Sequence, residues 1–294
     1  MKIIRSITAL NQIITDNKTR GFLIGFVPTM GSIHKGHISL IQKSILENDY
    51  TICSIYVNPT QFNDKTDFIK YPREEEKDIK ILHEFNCDAV FLPNDKEMYP
   101  KKDEPFKDDF ISEYINILEG EKRPGHFLGV ITIVSKLFNL IQPNKAYFGE
   151  KDYQQLYVIR FFVKKFKIPV EIRACKIIRG KDGLALSSRN KHLTLSEKRA
   201  ARHLFKALKF LQKEITNYKK EGALFFLDER TVNDLKNLAI NNIINNSLIK
   251  LDYCEIIEVE NFRFAKTIDN NKIYRILIAA YISNTRLIDN ILIS

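Results

Sequence analysis

The chain has 294 residues, of which 44% are apolar and 28% charged, and its 46 basic and 36 acidic residues give a net charge of +10. That balance is typical of a globular protein with a buried core, and the longest apolar run, Ile276–Ile282, is far shorter than the roughly 20 residues that span a bilayer. The four cysteines are scattered, with no C-x-x-C pair, which argues against a zinc site or a disulfide framework and for a reducing cytoplasm.

The first 175 or so residues alternate short β-rich runs with helical patterns. Strands that alternate with helices imply βαβ units, so we expect a Rossmann-like, doubly wound and mostly parallel sheet. The predicted strands are Phe22–Val27, Tyr50–Val57, Cys87–Pro93, Lys145–Glu150 and Val170–Ile178, and the predicted helices are Ile38–Asn48, Glu74–Phe85, Gly129–Gln142 and Tyr153–Phe166.

The pattern changes after about residue 180. A long amphipathic helix is predicted after a capping box, Thr194 to Glu197, and its apolar face carries Leu204, Leu208, Leu211 and Ile215. A second helix and two β-rich segments follow, at 232–246, 250–259 and 273–283. We therefore divide the chain into an α/β domain, residues 1–180, and a smaller C-terminal α+β domain, residues 181–294.

The stretch PTMGSIHKGH, residues 28–37, lies between the first buried strand and its helix. Ligands of doubly wound sheets bind where strands end and helices begin. His34 and His37 are three residues apart, so on a helix they share a face. Backbone amides at a helix start favour a phosphate, and two imidazoles there add hydrogen-bond donors. This stretch predicts a nucleotide phosphate site.

Two further loops carry donors for phosphate oxygens. In FGEKDYQQL, Lys151 follows Gly149 and can reach a phosphate, while Asp152 can accept from a ribose hydroxyl or join a magnesium shell. In KDGLALSSRN, the segment 187–189 offers two hydroxyls and a guanidinium. Either loop alone would be read as an ordinary surface turn, but three such loops favour a nucleotide site.

Several longer motifs together resemble the pantothenate synthetase family, within the wider group of nucleotidyltransferases that carry an H-x-G-H motif. They are VPTMGSIHKGHISLI, SIYVNPTQFN, YPR, EGEKRPGHFLGVITIVSKLFNLIQPNKAYFGEKDYQQL and DGLALSSRN, with TRLIDN near the C-terminus. The resemblance runs from about Phe26 to Asn190, and the long block before GEKDYQQL is its most specific part. Residues 195–280 are only loosely similar.

The resemblance implies an ATP-dependent ligase that joins D-pantoate to β-alanine through a pantoyl adenylate, with Mg²⁺ as a cofactor. Because a carboxylate is already ionised at pH 7, its attack on the α-phosphate requires positioning and charge stabilisation rather than a protein base. It further implies a cytoplasmic homodimer whose first domain binds nucleotide and pantoate. No nucleic-acid or membrane partner is expected.

The family's site residues fall on matching positions of this chain. The resemblance implies that His34, His37, Lys151 and Arg189 are catalytic, with a proton-donor role for His37 that we replace by electrostatic stabilisation. It also implies that Gln61 and Gln155 bind pantoate and that Gln61 contacts β-alanine. The ATP-binding positions are Met30, Gly31, Ser32, Ile33, His34, Lys35, Gly36, His37, Gly149, Glu150, Lys151, Asp152, Ile178, Leu186, Ser187, Ser188 and Arg189.

Three residues, Asp78, Arg123 and His126, keep two interpretations each. Asp78 matches an acidic position that can help to bind magnesium, although a solvated helix charge is an equal alternative. Arg123 and His126, in RPGHF, belong either to the pantoate side of the site or to its rim. Lys35 stands where the family commonly has an acidic residue, which we interpret as drift.

Three other functions fit part of the pattern. A different nucleotidyltransferase would share the H-x-G-H turn but would not require the two glutamine-bearing blocks. A class I tRNA synthetase should carry an anticodon-binding domain, for which this chain is short. A basic nucleic-acid binder is suggested by the +10 charge alone, but the basic residues are spread along the chain among acidic ones.

Overall fold

The computed structural model describes residues 1–100, 112–220 and 225–293. The chain divides into two compact units, an N-terminal unit, Met1–Ile177, and a C-terminal unit, Ile178–Ser294. In the described residues, no helix has the length and apolar character needed to cross a membrane. The expected assignment of nucleotide and pantoate binding to residues 1–180 stays a prediction.

The N-terminal unit is built from six strands and the helices between them. Its strands are β1 (Lys2–Ile4), β2 (Ile24–Thr29), β3 (Tyr50–Ile55), β4 (Ala89–Phe91), β5 (Lys145–Gly149) and β6 (Glu171–Cys175). Its helices are α1 (Ile7–Thr19), α2 (Lys35–Glu47), α3 (Lys65–Lys70), α4 (Glu75–Glu84), α5 (Asp95–Met98), α6 (Ser112–Ile115), α7 (Glu119–Lys122), α8 (His126–Ile141) and α9 (Tyr153–Lys165).

The six strands form one parallel sheet in the order β1-β4-β3-β2-β5-β6. Successive residues of a strand face opposite sides of the sheet, and the fully buried β2 residues use both sides. Val27 belongs to the core formed with α2 and α4, whereas the ring of Phe26 packs edge-on against Phe138 of α8. Helices therefore cover both faces, which confirms the predicted Rossmann-like, doubly wound sheet.

The C-terminal unit combines two helices with antiparallel strands. Helices α10 (Leu195–Lys220) and α11 (Glu229–Ile244) pack on a sheet in the order β11-β10-β8, and β7 pairs with β9. These strands are β7 (Phe226–Leu227), β8 (Ile249–Glu258), β9 (Ile268–Asp269), β10 (Tyr274–Ile282) and β11 (Thr285–Ile293). The smaller α+β architecture expected for this part of the chain is confirmed.

The capping box and the apolar face predicted for α10 are also confirmed. The Thr194 hydroxyl accepts from the amide of Glu197 at 3.3 Å, and the Glu197 carboxylate accepts from the amide of Thr194 at 2.8 Å. The four apolar residues predicted to share one face are all at most 2% exposed, and they are Leu204, Leu208, Leu211 and Ile215. The sequence did not predict β1, because a strand of three residues shows no periodicity. It also did not predict α1 or β11.

Candidate active site

The strand order places a topological switch between β2 and β5. From β2 the chain continues to β3 and β4 on one side, and from β5 it continues to β6 on the other. A crevice forms at the carboxyl ends of the strands at such a point, and it is the usual ligand site of this architecture. β2 ends at Thr29 and β5 at Gly149. The histidine-bearing loop and the GEKD turn therefore both start at the switch.

The loop after β2 contains two residues in the left-handed region, Gly31 at φ 81° and Ser32 at φ 52°. The amides of Ser32 and Ile33 donate to Oδ2 and Oδ1 of Asp78, each at 2.7 Å. Ser32, Ile33 and Asp78 are 0%, 4% and 1% exposed. The interpretation of Asp78 as a solvated helix charge was therefore wrong. Of the predicted ATP-binding stretch, the residues that keep some exposure are Met30 and 34–37.

His34 and His37 cap helix α2 reciprocally. His34 is the N-cap, and its Nδ1 accepts from the amide of Gly36 at 3.1 Å. Nδ1 of His37 accepts from the amide of His34 at 3.3 Å, and the two rings stack with their centroids 4.1 Å apart. A neutral imidazole that accepts at one nitrogen carries its proton on the other. Both rings are therefore fixed as Nε2–H tautomers, so the pair offers donors on one side.

His37 is held neutral. Burial lowers its pKa to about 3, with further contributions from His34 and from the ammonium of Lys151. A pKa this far below 6.5 keeps the imidazole uncharged at neutral pH. His37 can then donate a hydrogen bond through Nε2–H but holds no spare proton to release.

The GEKD turn supplies the positive charge that the histidines lack. After Gly149 the chain forms a 3-10 turn, Glu150–Asp152, that leads directly into α9. The side chain of Lys151 is 19% exposed and that of Asp152 is 53% exposed, with Nζ and Oδ2 3.9 Å apart. The Lys151 ammonium lowers the pKa of His37, and the turn and the histidine pair follow two strands, β5 and β2, that are neighbours in the sheet.

Gln61 lies in a 3-10 turn, Pro59–Gln61, after β3 and is 6% exposed. Its Nε2 donates to the Met30 sulfur, and its Oε1 accepts from Nδ2 of Asn58 at 3.4 Å. The same Asn58 amide donates to the carbonyl of Gly129 at 3.1 Å. A Cβ at Gly129 would lie 2.6 Å from Cα of Gln61 and 2.3 Å from the carbonyl oxygen of Thr60. Helix α8 therefore approaches the Gln61 backbone as closely as a glycine permits.

The Arg123–His126 pair also supports Gln61. His126 is 6% exposed, and its Nδ1 lies 2.8 Å from the carbonyl of Gln61. Nη1 of Arg123 lies 3.0 Å from the other ring nitrogen. Because a carbonyl only accepts and a guanidinium only donates, His126 is the Nδ1–H tautomer. Burial, followed by the charge of Arg123, lowers the pKa of His126 to about 3. His126 thus contacts Gln61, the predicted pantoate residue, and Arg123 contacts His126.

The two adjacent glutamines of α9 differ in environment. Gln154 is 4% exposed, donates to the carbonyls of Tyr114 and Ile117 at 2.8 Å each, and accepts from the amide of Glu119 at 3.0 Å. It therefore fixes the segment of α6 and α7. Gln155, which the family resemblance selects for pantoate, is only partly buried.

The remaining predicted ATP residues belong to the C-terminal unit. The amide of Leu186 donates to the carbonyl of Ile178 at 2.9 Å, and the hydroxyl of Ser187 accepts from the amide of Arg189 at 3.3 Å. Ser188 is 8% exposed, whereas Arg189 is partly exposed. The structure thus orders this loop within its own unit, and its contact with ATP stays a prediction.

A resident metal ion would require several carboxylate, histidine or cysteine ligands close together. Within residues 1–100, 112–220 and 225–293, no group of three or more His, Cys, Asp or Glu side chains could hold an ion. Both oxygens of Asp78 accept backbone amides. The described residues therefore do not fit a protein-held Mg²⁺ site.

Two contributors to the site escaped the sequence reasoning. Asn58 links the Gln61 side chain to α8, and Gly129 permits the close approach of that helix. An Asn before Pro is a turn signal, and it correctly marks the turn that Asn58 caps. Nothing in the local sequence marks Gly129, since its partner Gln61 is remote along the chain.

Comparison with known proteins identifies the family to which the chain is similar. A family model described as pantoate-beta-alanine ligase matches residues 2–292. A pantothenate synthetase of Cytophaga hutchinsonii is 42% identical over 292 residues, which cover 98% of this chain and 99% of that protein.

Two solved structures are similar along nearly the whole chain. A pantothenate synthetase from Thermus thermophilus has a TM-score of 0.86 at 33% identity and covers 99% of each chain. A pantoate-beta-alanine ligase from Francisella tularensis, complexed with beta-gamma ATP and beta-alanine, has a TM-score of 0.74 at 38% identity. That alignment covers 99% of this chain and 97% of the other.

Proposed function

The chain belongs to the pantoate–β-alanine ligase family, and from that premise we propose that it condenses D-pantoate with β-alanine at the expense of ATP. A pantoate carboxylate oxygen attacks the α-phosphorus, the bond to the β-phosphate oxygen breaks, and pyrophosphate leaves. The free amine of β-alanine then attacks the acyl carbon of pantoyl adenylate and a C–N bond forms. The bond from that carbon to the bridging oxygen breaks, AMP leaves with this former carboxylate oxygen, and the nitrogen releases a proton to water.

The histidine pair carries this proposal. In both rings Nδ1 accepts from the backbone, which leaves Nε2–H as the donor. Fixed donors and a lysine at a strand–helix switch suit phosphoryl chemistry, where charge develops on phosphate oxygens while the protein supplies positioning and electrostatic stabilisation. We assign this task to His34, His37 and Lys151, with Arg189 as a further donor. Because the pKa of His37 lies at about 3, we prefer hydrogen bonding over proton donation for it.

We place the acid substrate at Gln61 and Gln155, with β-alanine also against Gln61. Neutral amides orient hydroxyls and a carboxylate without an ion pair that would weaken the nucleophile. The fixed surroundings of Gln61 support this placement, because Asn58 bonds its side chain, His126 bonds its carbonyl, and Gly129 lets α8 approach its backbone.

Magnesium belongs to this proposal only as part of the substrate. Mg²⁺ commonly arrives on ATP, bound mainly by phosphate oxygens and water, and the carboxylates described above do not fit a resident site. Cytoplasmic location and a homodimer also remain proposals; the first is supported by four buried free cysteines, and the second is tested by light scattering.

The test traces a carboxylate oxygen of pantoate into the products. Pantoate labelled with ¹⁸O in its carboxylate is incubated with Mg-ATP and β-alanine, and the products are analysed by mass spectrometry. We expect pantothenate, pyrophosphate and AMP in equal amounts, with one ¹⁸O in the AMP. Unlabelled AMP would exclude the acyl adenylate. Turnover with a phosphorylated acceptor but not with pantoate would instead support a different nucleotidyltransferase.

A further inference from the structure

The histidine-bearing loop is attached to a carboxylate that is distant in sequence. Asp78 lies in the first turn of α4, 1% exposed, and accepts the amides of Ser32 and Ile33 on its two oxygens at 2.7 Å each. Oδ2 would also lie 2.9 Å from a Cβ at residue 31. A glycine is therefore required at the point where the carboxylate meets the loop.

Successive amides in such a turn form a small concavity that binds anions. In many nucleotide-binding loops a phosphate fills this concavity. Here the two amides already donate to the protein's own carboxylate, and Ser32 and Ile33 are buried with it. The amides of these two residues are thus satisfied before any nucleotide arrives.

The same contact sustains an unfavourable backbone conformation. Ser32 has φ 52°, and residues other than glycine occupy this region at a cost that surrounding contacts must offset. Two charge-assisted hydrogen bonds, donated by the amides of Ser32 and Ile33 to one buried carboxylate, are strong enough for that purpose. The loop they stabilise leads within two residues to His34, the N-cap of α2.

We propose that Asp78 is a positioning residue, an internal anion that fixes the loop and thereby directs His34 and His37 toward the phosphates of ATP. This inference rests on the proposed use of ATP by the same site. It assigns phosphate contact to the side chains of His34, His37 and Lys151. The amides of residues 32 and 33 then bind Asp78 and do not contact a phosphate. It also replaces the expectation that Asp78 binds magnesium.

The experiment compares Asp78→Asn with Glu75→Gln, a matched loss of one carboxylate on the same helix, where Glu75 is paired with Arg5 on the surface. An asparagine at 78 presents an NH₂ group to one of the two loop amides, so one bond becomes a donor–donor conflict. Binding of a non-hydrolysable ATP analogue and of pantoate is measured by calorimetry. We expect the dissociation constant for the analogue to rise about 10- to 100-fold in the Asp78 variant, with pantoate binding unchanged and the control like the wild type.

A second variant tests the cause. Adding Ser32→Gly to Asp78→Asn gives the loop a residue that adopts positive φ without cost, so part of the lost nucleotide affinity should return. If Asp78→Asn does not fold, Asp78→Glu, which keeps the charge but shifts it by one methylene, should show the same ATP-selective loss.

Three results would overturn the inference. Recovery of Asp78→Asn by excess Mg²⁺ would make Asp78 a metal ligand, and lower thermal stability with unchanged analogue binding would make it merely structural. Equal losses of pantoate and analogue affinity would also contradict a loop-specific role. Failure of the wild-type protein to bind the analogue is a different outcome, because it would refute the proposed function itself.

Discussion

The amide of His34 donates to Nδ1 of His37 at 3.3 Å, and the two imidazoles stack 4.1 Å apart between their centroids. A single contact thus serves two purposes, since it satisfies an amide at the helix start and fixes the tautomer of the second ring. The spacing of three residues is what allows both, because residues at N-cap and N3 reach each other's backbone in a capping box. The two purposes can be separated by substitution.

His37→Asn and His37→Gln divide the functions of the ring. The Asn oxygen replaces Nδ1 as the acceptor for the amide of His34 but has no group at the Nε2 position. The Gln side chain reaches that position with a donor and loses the cap. We expect His37→Asn to keep wild-type stability while kcat falls about 100-fold or more. His37→Gln should lose about 1 kcal/mol of stability and retain more activity.

Steady-state kinetics and urea unfolding of the two variants provide the measurement. Wild-type turnover by His37→Asn would show that the ring is a helix cap only. The order of the two variants in kcat must be opposite to their order in stability if the donor is Nε2–H.

Lys151 supplies charge to a site whose nearby histidine is neutral. Lys151→Gln should reduce kcat by about 100- to 1,000-fold and raise the KM for ATP, because no other group of the GEKD turn is cationic. The matched control is Lys164→Gln, an equal change of charge on an exposed residue near the other end of α9. Both are measured by pyrophosphate release. Equal losses in the two variants would indicate a general charge effect rather than a local one.

The adjacent glutamines 154 and 155 form a natural pair for comparison. Gln155→Ala should raise the KM for pantoate about 10-fold or more without changing the melting temperature. Gln154→Ala leaves the buried amide of Glu119 without its acceptor and the partly buried carbonyls of Tyr114 and Ile117 without their donor, which costs about 1–3 kcal/mol. Pantoate kinetics and calorimetric melting are recorded for both. If Gln154→Ala raised the KM for pantoate and Gln155→Ala lowered the melting temperature, Gln154 would be the residue that contacts pantoate.

Local patterns were sufficient for much of the fold. Alternating strand and helix signals predicted the doubly wound sheet, and the Thr194 to Glu197 capping box predicted the start of α10. These signals succeed because they depend on neighbours within a few residues, as periodicity and capping do.

The supporting contacts of the site could not be predicted in the same way. The bond from Ile33 to Asp78 joins residues 45 apart, and His126 reaches Gln61 across 65 residues. The tautomer of His126 follows from such a long-range contact, whereas those of His34 and His37 follow from bonds to backbone amides two and three residues away. Chemistry-bearing residues were therefore visible in the sequence, whereas the groups that orient them became visible only in the fold.

The two histidines whose pKa values are lowered predict acid sensitivity. The pKa of His126 is lowered to about 3 by burial and by Arg123, against opposing effects from Glu119 and Asp152. An unfolded histidine titrates near 6.5, so the unfolded state binds more protons below that pH. Stability from this neutral residue is fully present above about pH 6.5 and is lost progressively as the pH falls toward 3. His37 contributes with the same sign.

Urea unfolding between pH 7.5 and 5.5 tests this, because most carboxylates stay ionised in that window. His126→Asn keeps a donor for the Gln61 carbonyl but cannot gain a proton, so its stability should depend less on pH than that of the wild type. His83→Asn, on an exposed residue of α4, is the control. An unchanged slope in His126→Asn would show that His126 is not held neutral in the folded protein.

Gly129→Ala tests whether α8 sets the position of Gln61. The added Cβ would meet the Thr60 carbonyl oxygen at 2.3 Å and Cα of Gln61 at 2.6 Å. Both are backbone atoms, so no rotamer change relieves the clash and either the helix or the turn must move. Alanine favours a helix over glycine by about 1 kcal/mol, but overpacking costs about 1–3 kcal/mol. We expect net destabilisation and a raised KM for both pantoate and β-alanine, with the KM for ATP much less affected.

Asn139→Ala, on the exposed face of the same helix, is the matched control. A more stable Gly129→Ala protein with an unchanged KM for pantoate would show that the turn holds Gln61 without the contact from α8.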